Sequence, residues 1–134
     1  MGELQKKYKF NWGVETIDGN SVAYEDLVKE NYPNVQWFFE EYEGSYQGDF
    51  YMLGKDGDNY YFFTISYGSC SGCDWLQSIE DYDNLQKLID EIKDSVLIKN
   101  RAEMEEYIEK YNFNDWLDDD ERVEKQMRKA FSEN

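Results

Sequence analysis

The chain contains no histidine, and this absence restricts its chemistry strongly. Histidine is the usual general base at neutral pH, it activates serine and cysteine nucleophiles, and it is the commonest zinc ligand. Few hydrolytic mechanisms operate without it. We therefore expect a protein that is not an enzyme.

Three further scarcities bear on location and redox state. No apolar run reaches the length of about 18 residues that a transmembrane helix needs. The first seven residues lack the apolar segment of a signal peptide. Cysteine occurs only at Cys70 and Cys73. We expect a cytoplasmic protein whose thiols are reduced.

Positive charge is scarce, whereas aromatic residues are abundant. The chain has 30 acidic against 14 basic residues, a net charge of −16, and 18% aromatic residues. That much ring area supports a hydrophobic core despite the charge. The length of 134 residues suits a single domain, 1–134. The charge repels nucleic acids and anionic membranes and attracts basic surfaces.

The first half of the chain predicts a small antiparallel sheet. Aromatic-rich segments at 35–42, 47–53 and 60–67 have the composition of strands. Asp56-Gly57 between the second and third is typical of a hairpin turn. We expect a three-stranded meander, with the sheet core at about 34–67, after a short helix at 22–31 capped by Ser21.

The second half predicts helices, at about 74–131. Asp74 and Asn100 are candidate N-caps, for a helix at 75–80 and for a later one with Met104 and Ile108 on one side. Asn114 or Asp115 would begin the last helix. Between the helix at 75–80 and the helix capped by Asn100, apolar residues recur every three or four positions, at Leu85, Leu88, Ile89, Ile92 and Val96. The fold class predicted is therefore α+β, a meander packed with several helices.

Between the third strand and the first of these helices lies Tyr67-Gly68-Ser69-Cys70-Ser71-Gly72-Cys73-Asp74. The C-x-x-C spacing suits dithiol redox chemistry, metal binding or a local disulfide. A zinc site needs four ligands, and Cys70, Cys73 and Asp74 supply three at most. A fourth interpretation is structural: a compact joint between strand and helix, formed by small residues and with the thiols buried. The sequence leaves these alternatives open.

The acidic residues are concentrated at 103–121. This segment contains nine acidic residues and a single basic residue, Lys110. Four consecutive like charges repel one another, so stability alone does not explain such a run. We expect these acids to bind a partner, with Tyr107 and Trp116 as aromatic anchors. A smaller group, Glu40, Glu41 and Glu43, ends the first strand. The predicted partner-binding acids are Glu103, Glu105, Glu106, Glu109, Asp115, Asp118, Asp119, Asp120 and Glu121.

Two segments carry a family resemblance. Tyr46-Gln47-Gly48-Asp49, followed by the segment from Tyr67 to Asp74 and then Leu76-Gln77, resembles a group of small uncharacterised phage and bacterial proteins with a YQGD strand and a YGSCSGCD loop. The similarity covers about residues 37–80. It implies a phage or mobile-element setting and no particular reaction.

Charge and resemblance together predict a phage-encoded inhibitor of the anti-CRISPR or anti-defence type, acting in the host cytoplasm. It would block a basic nucleic-acid-binding host effector by mimicking the charge of nucleic acid. One alternative is a C-x-x-C protein that binds metal, with zinc as its cofactor, or performs thiol redox chemistry. Another is an immunity-type protein that neutralises a basic toxin. A thiol titration and elemental analysis separate the first alternative from the inhibitor; the partner's identity separates the second.

Overall fold

Six helices and six strands occur in residues 2–44, 48–68, 74–113 and 122–134, the parts of the chain that the computed structural model describes. The strands are β1 (Tyr8–Phe10), β2 (Val14–Thr16), β3 (Gln36–Tyr42), β4 (Gly48–Asp56), β5 (Asn59–Tyr67) and β6 (Leu97–Asn100). The helices are α1 (Glu3–Lys7), α2 (Tyr24–Asn31), α3 (Trp75–Ser78), α4 (Tyr82–Ser95), α5 (Arg101–Lys110) and α6 (Arg122–Ser132). The predicted α+β class is confirmed.

The larger sheet has four strands in the order β3-β4-β5-β6, so the predicted three-stranded meander is incomplete. The three predicted strands are present and adjacent. The fourth strand, β6, pairs antiparallel with the start of β5, placing Leu97 opposite Phe62 and Asn100 opposite Asn59. It was missed because it has only four residues and follows α4 directly, so Val96 looked like the end of the helical stripe.

A second, two-stranded sheet was also not predicted. β1 and β2 pair antiparallel, with Tyr8 opposite Thr16 and Phe10 opposite Val14. Each strand has three residues, which is too short for the period-two pattern of a strand to be recognised in the sequence.

The turn between β4 and β5 is the hairpin that Asp56-Gly57 predicted. Gly57 has φ 62°, in the left-handed region that favours glycine. Within β4, Gly54 lets the strand backbone lie close to the side chains of Val35 and Trp37. A Cβ at Gly54 would lie 2.5 Å from Val35 Cγ1 and 2.7 Å from Trp37 Cε3. The sheet therefore requires glycine at position 54 for steric reasons.

The chain forms two compact units, each made of two separate segments. One unit comprises 1–33 and 67–95, and the other comprises 34–66 and 96–134. We call them the first and the second unit. The prediction of a single domain stays a prediction.

The first unit contains the two-stranded sheet and helices α1 to α4. The apolar stripe of α4 is buried as its spacing predicted, and α4 contacts α2, where Leu27 and Val28 are fully buried. Tyr82 at the start of α4 donates a hydrogen bond to the Tyr8 carbonyl at 2.8 Å, which ties the helix to β1.

The second unit contains the four-stranded sheet with α5 and α6. Tyr51, Leu53 and Phe62 of the sheet belong to the same buried cluster as Met104 of α5 and Met127 of α6. Aromatic rings fill much of this cluster, as the composition suggested. The burial of Met104 and Ile108, and of Val123, Met127 and Phe131, leaves one face of each helix to solvent.

Two helix boundaries differ from the predicted ones, and a third is not tested. α2 begins at Tyr24 and not at Val22, because the Asp26 carboxylate accepts the backbone N–H of Ala23 at 2.8 Å and so caps the helix there. α3 ends at Ser78. The predicted start of the last helix, at Asn114 or Asp115, lies outside the described residues. None of the described helices is long and apolar enough to cross a membrane.

Candidate functional site

Helix α5 presents the predicted acidic residues that the structure describes. Its apolar side chains, Met104 and Ile108, are buried in the second unit. Since the buried positions occupy one stripe, the glutamates lie on the rest of the helix surface. Their side chains are all exposed, at Glu103, Glu105, Glu106 and Glu109. The acids therefore flank a buried stripe on both sides and do not form one continuous face.

Glu103 lies in the first turn of the helix and interacts with its N-cap, Asn100. Its backbone N–H donates to the side-chain oxygen of Asn100 at 2.9 Å, and its carboxylate accepts from the side-chain amide of Asn100. The first of these hydrogen bonds satisfies one free backbone N–H at the N-terminus of α5, and the second holds the Asn100 side chain in place. The predicted cap at Asn100 is confirmed, and Glu103 has a structural role beside any binding role.

Glu106 forms an ion pair one turn before the end of the helix. The Lys110 ammonium lies 2.6 Å from its carboxylate. This hydrogen bond lowers the pKa of the Glu106 carboxyl and raises the pKa of Lys110. Lys99 and Lys110 line a surface groove of about 490 Å³ beside Glu106. This side of α5 therefore carries mixed charge.

Glu105 and Glu109 have a different environment on the other side of the helix. They lie one turn apart and line a groove of about 310 Å³ with Arg101 and Arg128. Neither carboxylate forms an ion pair or a hydrogen bond with any residue that the structure describes. Their charges are therefore accessible from solvent, even though two arginines lie beside the same groove.

Those two arginines are engaged elsewhere. Arg101 donates a hydrogen bond to the Tyr60 hydroxyl at 2.6 Å, and its guanidinium lies over the Phe131 ring at 4.9 Å from the centroid. Arg128 pairs with Glu124 at 2.9 Å, one turn earlier on α6. The cations thus hold α5 and α6 on the aromatic core, and the carboxylates at 105 and 109 stay available.

Tyr107, predicted as an aromatic anchor, is half-buried and packs on the core. Its ring lies 5.5 Å from that of Phe62, and Lys99 lies over it at 5.7 Å. Burial raises the pKa of its phenol. The remaining predicted partner-binding residues lie outside the described residues: Asp115, Trp116, Asp118, Asp119, Asp120 and Glu121.

The smaller acidic group at the end of β3 is not a continuous surface. Glu43 is buried, with 1% of its surface exposed, so it cannot meet a partner at the surface. Glu41 pairs with Arg122 of α6 at 3.2 Å. Glu40 is exposed. Alternation of side chains along β3 separates Glu40 from Glu41, whereas Glu43 follows the end of the strand.

Asp74 follows the C-x-x-C motif and is buried in the first unit, with 7% of its surface exposed. One carboxylate oxygen accepts from the Tyr24 hydroxyl at 2.6 Å and from the backbone N–H of Gln77 at 3.2 Å. The other accepts from the backbone N–H of Gly68 at 2.9 Å. Asp74 is therefore the predicted N-cap of α3 and also joins that helix to Gly68 in the same unit.

Tyr24 extends this network. Its hydroxyl also accepts the backbone N–H of Leu76 at 3.0 Å, and burial, followed by the hydrogen bond to Asp74, raises the pKa of its phenol well above the ordinary value. Cys70 and Cys73, the predicted metal or disulfide residues, lie outside the described residues. Within the described ranges there is no group of three or more acidic or cysteine side chains placed to hold a metal ion.

The chain gave no match in comparisons with protein-family models, with curated proteins and with solved structures. The resemblance to small phage and bacterial proteins therefore stays a prediction.

One conspicuous surface residue was not selected from the sequence. Trp12, between β1 and β2, is fully exposed, at 103% of its reference area, and its backbone has φ 64°. The adjacent Gly13 has φ 141°. Trp-Gly between two three-residue strands was the available sequence signal, but the alternating lysines and aromatics around it obscured the hairpin.

Proposed function

We propose that this chain is an acidic binding protein that blocks a basic nucleic-acid-binding host effector, such as a defence nuclease or a CRISPR effector. Its carboxylates occupy the arginine and lysine side chains that otherwise hold phosphates. The protein acts in the cytoplasm of a phage-infected host. It binds neither nucleic acid nor membrane itself, since both are anionic.

The observation that carries the proposal is the pair Glu105 and Glu109. Both carboxylates are exposed on α5 and have no ion pair among the described residues, in a chain of net charge −16. A helix rises about 1.5 Å per residue, so side chains four residues apart project about 6 Å from one another. Two like charges held at this spacing repel each other, and a cationic partner relieves that repulsion.

Rigid placement strengthens this argument. α5 is capped by Asn100 at its start and packed by Met104 and Ile108 along its length. A partner that binds these glutamates therefore has little backbone order to impose, which favours affinity. An arginine fork on the partner can bind a carboxylate with two parallel hydrogen bonds. Acids at 118–121 add to the net negative charge of the chain.

The test is inhibition of purified basic enzymes. We would assay a panel of DNA and RNA nucleases, CRISPR effectors and basic nuclease toxins, with and without the protein, at low and physiological salt. At least one should be inhibited, with inhibition reversed by excess nucleic acid and weakened by salt. A basic toxin as the sole target would favour the immunity-type alternative.

Matched variants then locate the surface. Glu105→Gln with Glu109→Gln should weaken inhibition at least tenfold. Asp90→Asn with Asp94→Asn removes the same charge at the same spacing from exposed positions of α4 and should change it little. Equal losses of inhibition in the α5 and α4 variants would mean that inhibition depends on the net charge alone and not on the α5 surface. Full inhibition by the α5 variant, and also by a variant with asparagine at 118, 119 and 120, would contradict the proposal.

A further inference from the structure

The hairpin of β1 and β2 ends in a side chain that the fold does not use. Asn11, Trp12 and Gly13 connect the strands, and the backbone N–H of Asn11 donates to the Gly13 carbonyl at 3.0 Å. The turn places Trp12 in the left-handed region with its whole side chain in solvent. A bulky residue is rare in that region because its Cβ crowds the backbone.

Neither packing nor turn geometry explains a tryptophan here. The ring gains nothing from burial, and glycine or asparagine would adopt the same backbone with less strain. Residues held in such conformations recur at ligand-binding and partner-binding sites. Tryptophan is also among the residues that contribute most to binding at protein interfaces. The exposed Trp12, with its positive φ, therefore indicates a binding site.

A groove beside Trp12 indicates the chemistry of the ligand. It has a volume of about 410 Å³, and its described lining includes Phe10, Gln77, Ile79 and Glu80. Glu80 is exposed and is the charged side chain among those lining residues. The lining thus combines an exposed tryptophan, the apolar side chains of Phe10 and Ile79, the amide of Gln77 and the carboxylate of Glu80, all within the first unit.

We propose that this groove binds an arginine side chain of a basic protein partner, with the guanidinium stacked on the Trp12 indole and paired with Glu80. The inference rests on the proposed function and adds a second contact, on the first unit, to the glutamates of α5. Arginine fits better than lysine because its planar guanidinium stacks on an aromatic face while its edge donates to a carboxylate. A nucleobase would also stack, but its phosphates are repelled by Glu80 and by the net charge.

The experiment uses a defined probe: a short glycine-spaced arginine peptide amide, and a lysine peptide of equal length and charge. Binding at physiological ionic strength is followed in every variant by the backbone amide resonances of Gln77 and Glu80, which line the groove. In the parent it is also followed by the indole N–H resonance of Trp12, assigned by its loss in Trp12→Phe. The arginine peptide should shift this resonance and bind more tightly than the lysine peptide. A stacked cation at an exposed site corresponds to about a two- to fivefold change in affinity.

Three variants complete the test. Trp12→Ala and Glu80→Gln should each weaken binding of the arginine peptide by that factor, and Trp12→Ala should abolish the preference over lysine. Trp75→Ala is the matched control, since Trp75 is also exposed, at 39%, in the same unit. Circular dichroism checks that each variant is folded.

Equal binding of the two peptides with no effect of Trp12→Ala would overturn the inference, and so would the absence of peptide binding. The enzyme-inhibition assay judges the proposed function separately. If the parent protein inhibits and Trp12→Ala inhibits equally well, the groove is wrong and the α5 proposal stands. If the parent inhibits nothing, the proposed function fails, and the peptide titration still decides the groove.

Discussion

Replacing Asp74 by alanine should be strongly destabilising, because it removes the acceptor for three donors. The carboxylate receives the Tyr24 hydroxyl and the backbone N–H groups of Gly68 and Gln77. A hydrogen bond to a charged group contributes about 1.5–3 kcal/mol, and an unsatisfied buried donor costs about 1–3 kcal/mol. These contributions are not additive, and we expect a loss of about 4 kcal/mol in the free energy of unfolding.

Conservative variants refine this number. Asp74→Asn keeps one acceptor oxygen but turns an amide N–H towards a donor, so we expect a loss of about 2 kcal/mol. Tyr24→Phe removes one donor to Asp74 and the acceptor for Leu76, at about 1–2 kcal/mol. In the double variant the two losses should be less than additive by about 1 kcal/mol, since both act on one hydrogen bond.

The assay is urea unfolding followed by far-ultraviolet circular dichroism, with an unchanged slope as evidence that the folded state is intact. The control is Asp81→Ala, which removes an exposed cap that accepts the backbone N–H of Asn84 at 2.7 Å. It should cost about 1 kcal/mol. If Asp74→Ala lowered the free energy of unfolding no more than Asp81→Ala does, the connection between α3 and Gly68 would not depend on Asp74. If a chelator abolished the difference between Asp74→Ala and the parent, the metal interpretation would be favoured instead.

Three further predictions concern strain, packing and pH. Trp12→Asn should raise the free energy of unfolding by about 1 kcal/mol, because asparagine tolerates the positive φ at this position. Trp12→Ala should not raise it, because alanine keeps a Cβ and has no side chain that can hydrogen-bond locally. Thermal unfolding distinguishes the two variants. Gly54→Ala should cost about 2 kcal/mol because its Cβ would overlap Val35 and Trp37, against about 1 kcal/mol for Gly57→Ala, where space is open and only φ is unfavourable; equal losses in urea would contradict the steric argument. Burial raises the pKa of Tyr51, so the folded state holds this proton more tightly than the unfolded chain; stability should be complete below about pH 10 and decline above it. Urea unfolding between pH 9 and about 11 should show a shallower decline in Tyr51→Phe, and an identical decline would contradict the assignment.

Long, strongly patterned elements could be predicted from the sequence. The stripe of α4 recurs at the helical spacing from Leu85 to Ile92, and the Asp56-Gly57 turn has a backbone requirement that few residue pairs meet. Single capping side chains also sufficed at Asn100 and Asp74, because an N-cap is a local hydrogen bond between residues three apart.

Short elements could not be predicted, because tertiary pairing creates them. β6 is a strand through its hydrogen bonds to β5, and Ile98 in its middle is half-exposed, so its pattern gave no buried face. β1 and β2 are defined by each other over three residues each. The two-segment composition of both units follows from such long-range pairings and has no local signal.

The candidate site was predicted by residue type and only partly by role. Composition identified the glutamates of α5 as a group. Their environments differ because partners come from elsewhere in the chain or from the helix itself: Asn100 for Glu103, Lys110 for Glu106, and none among the described residues for Glu105. A positive φ at Trp12 has no signal in one sequence, because it depends on the register of the hairpin.

The interleaving of the two units has a consequence for synthesis on the ribosome. Each unit needs a segment from both halves of the chain. Residues 1–33 therefore cannot complete their unit until 67–95 has been synthesised, and 34–66 cannot until 96–134 has been. No nascent chain that stops before position 95 contains a complete unit. The aromatic strands β3 to β5 emerge early, without α5 and α6, and expose strand edges that favour aggregation. Slow, late folding is therefore expected, and the high negative charge would keep the unfinished chains apart in the meantime.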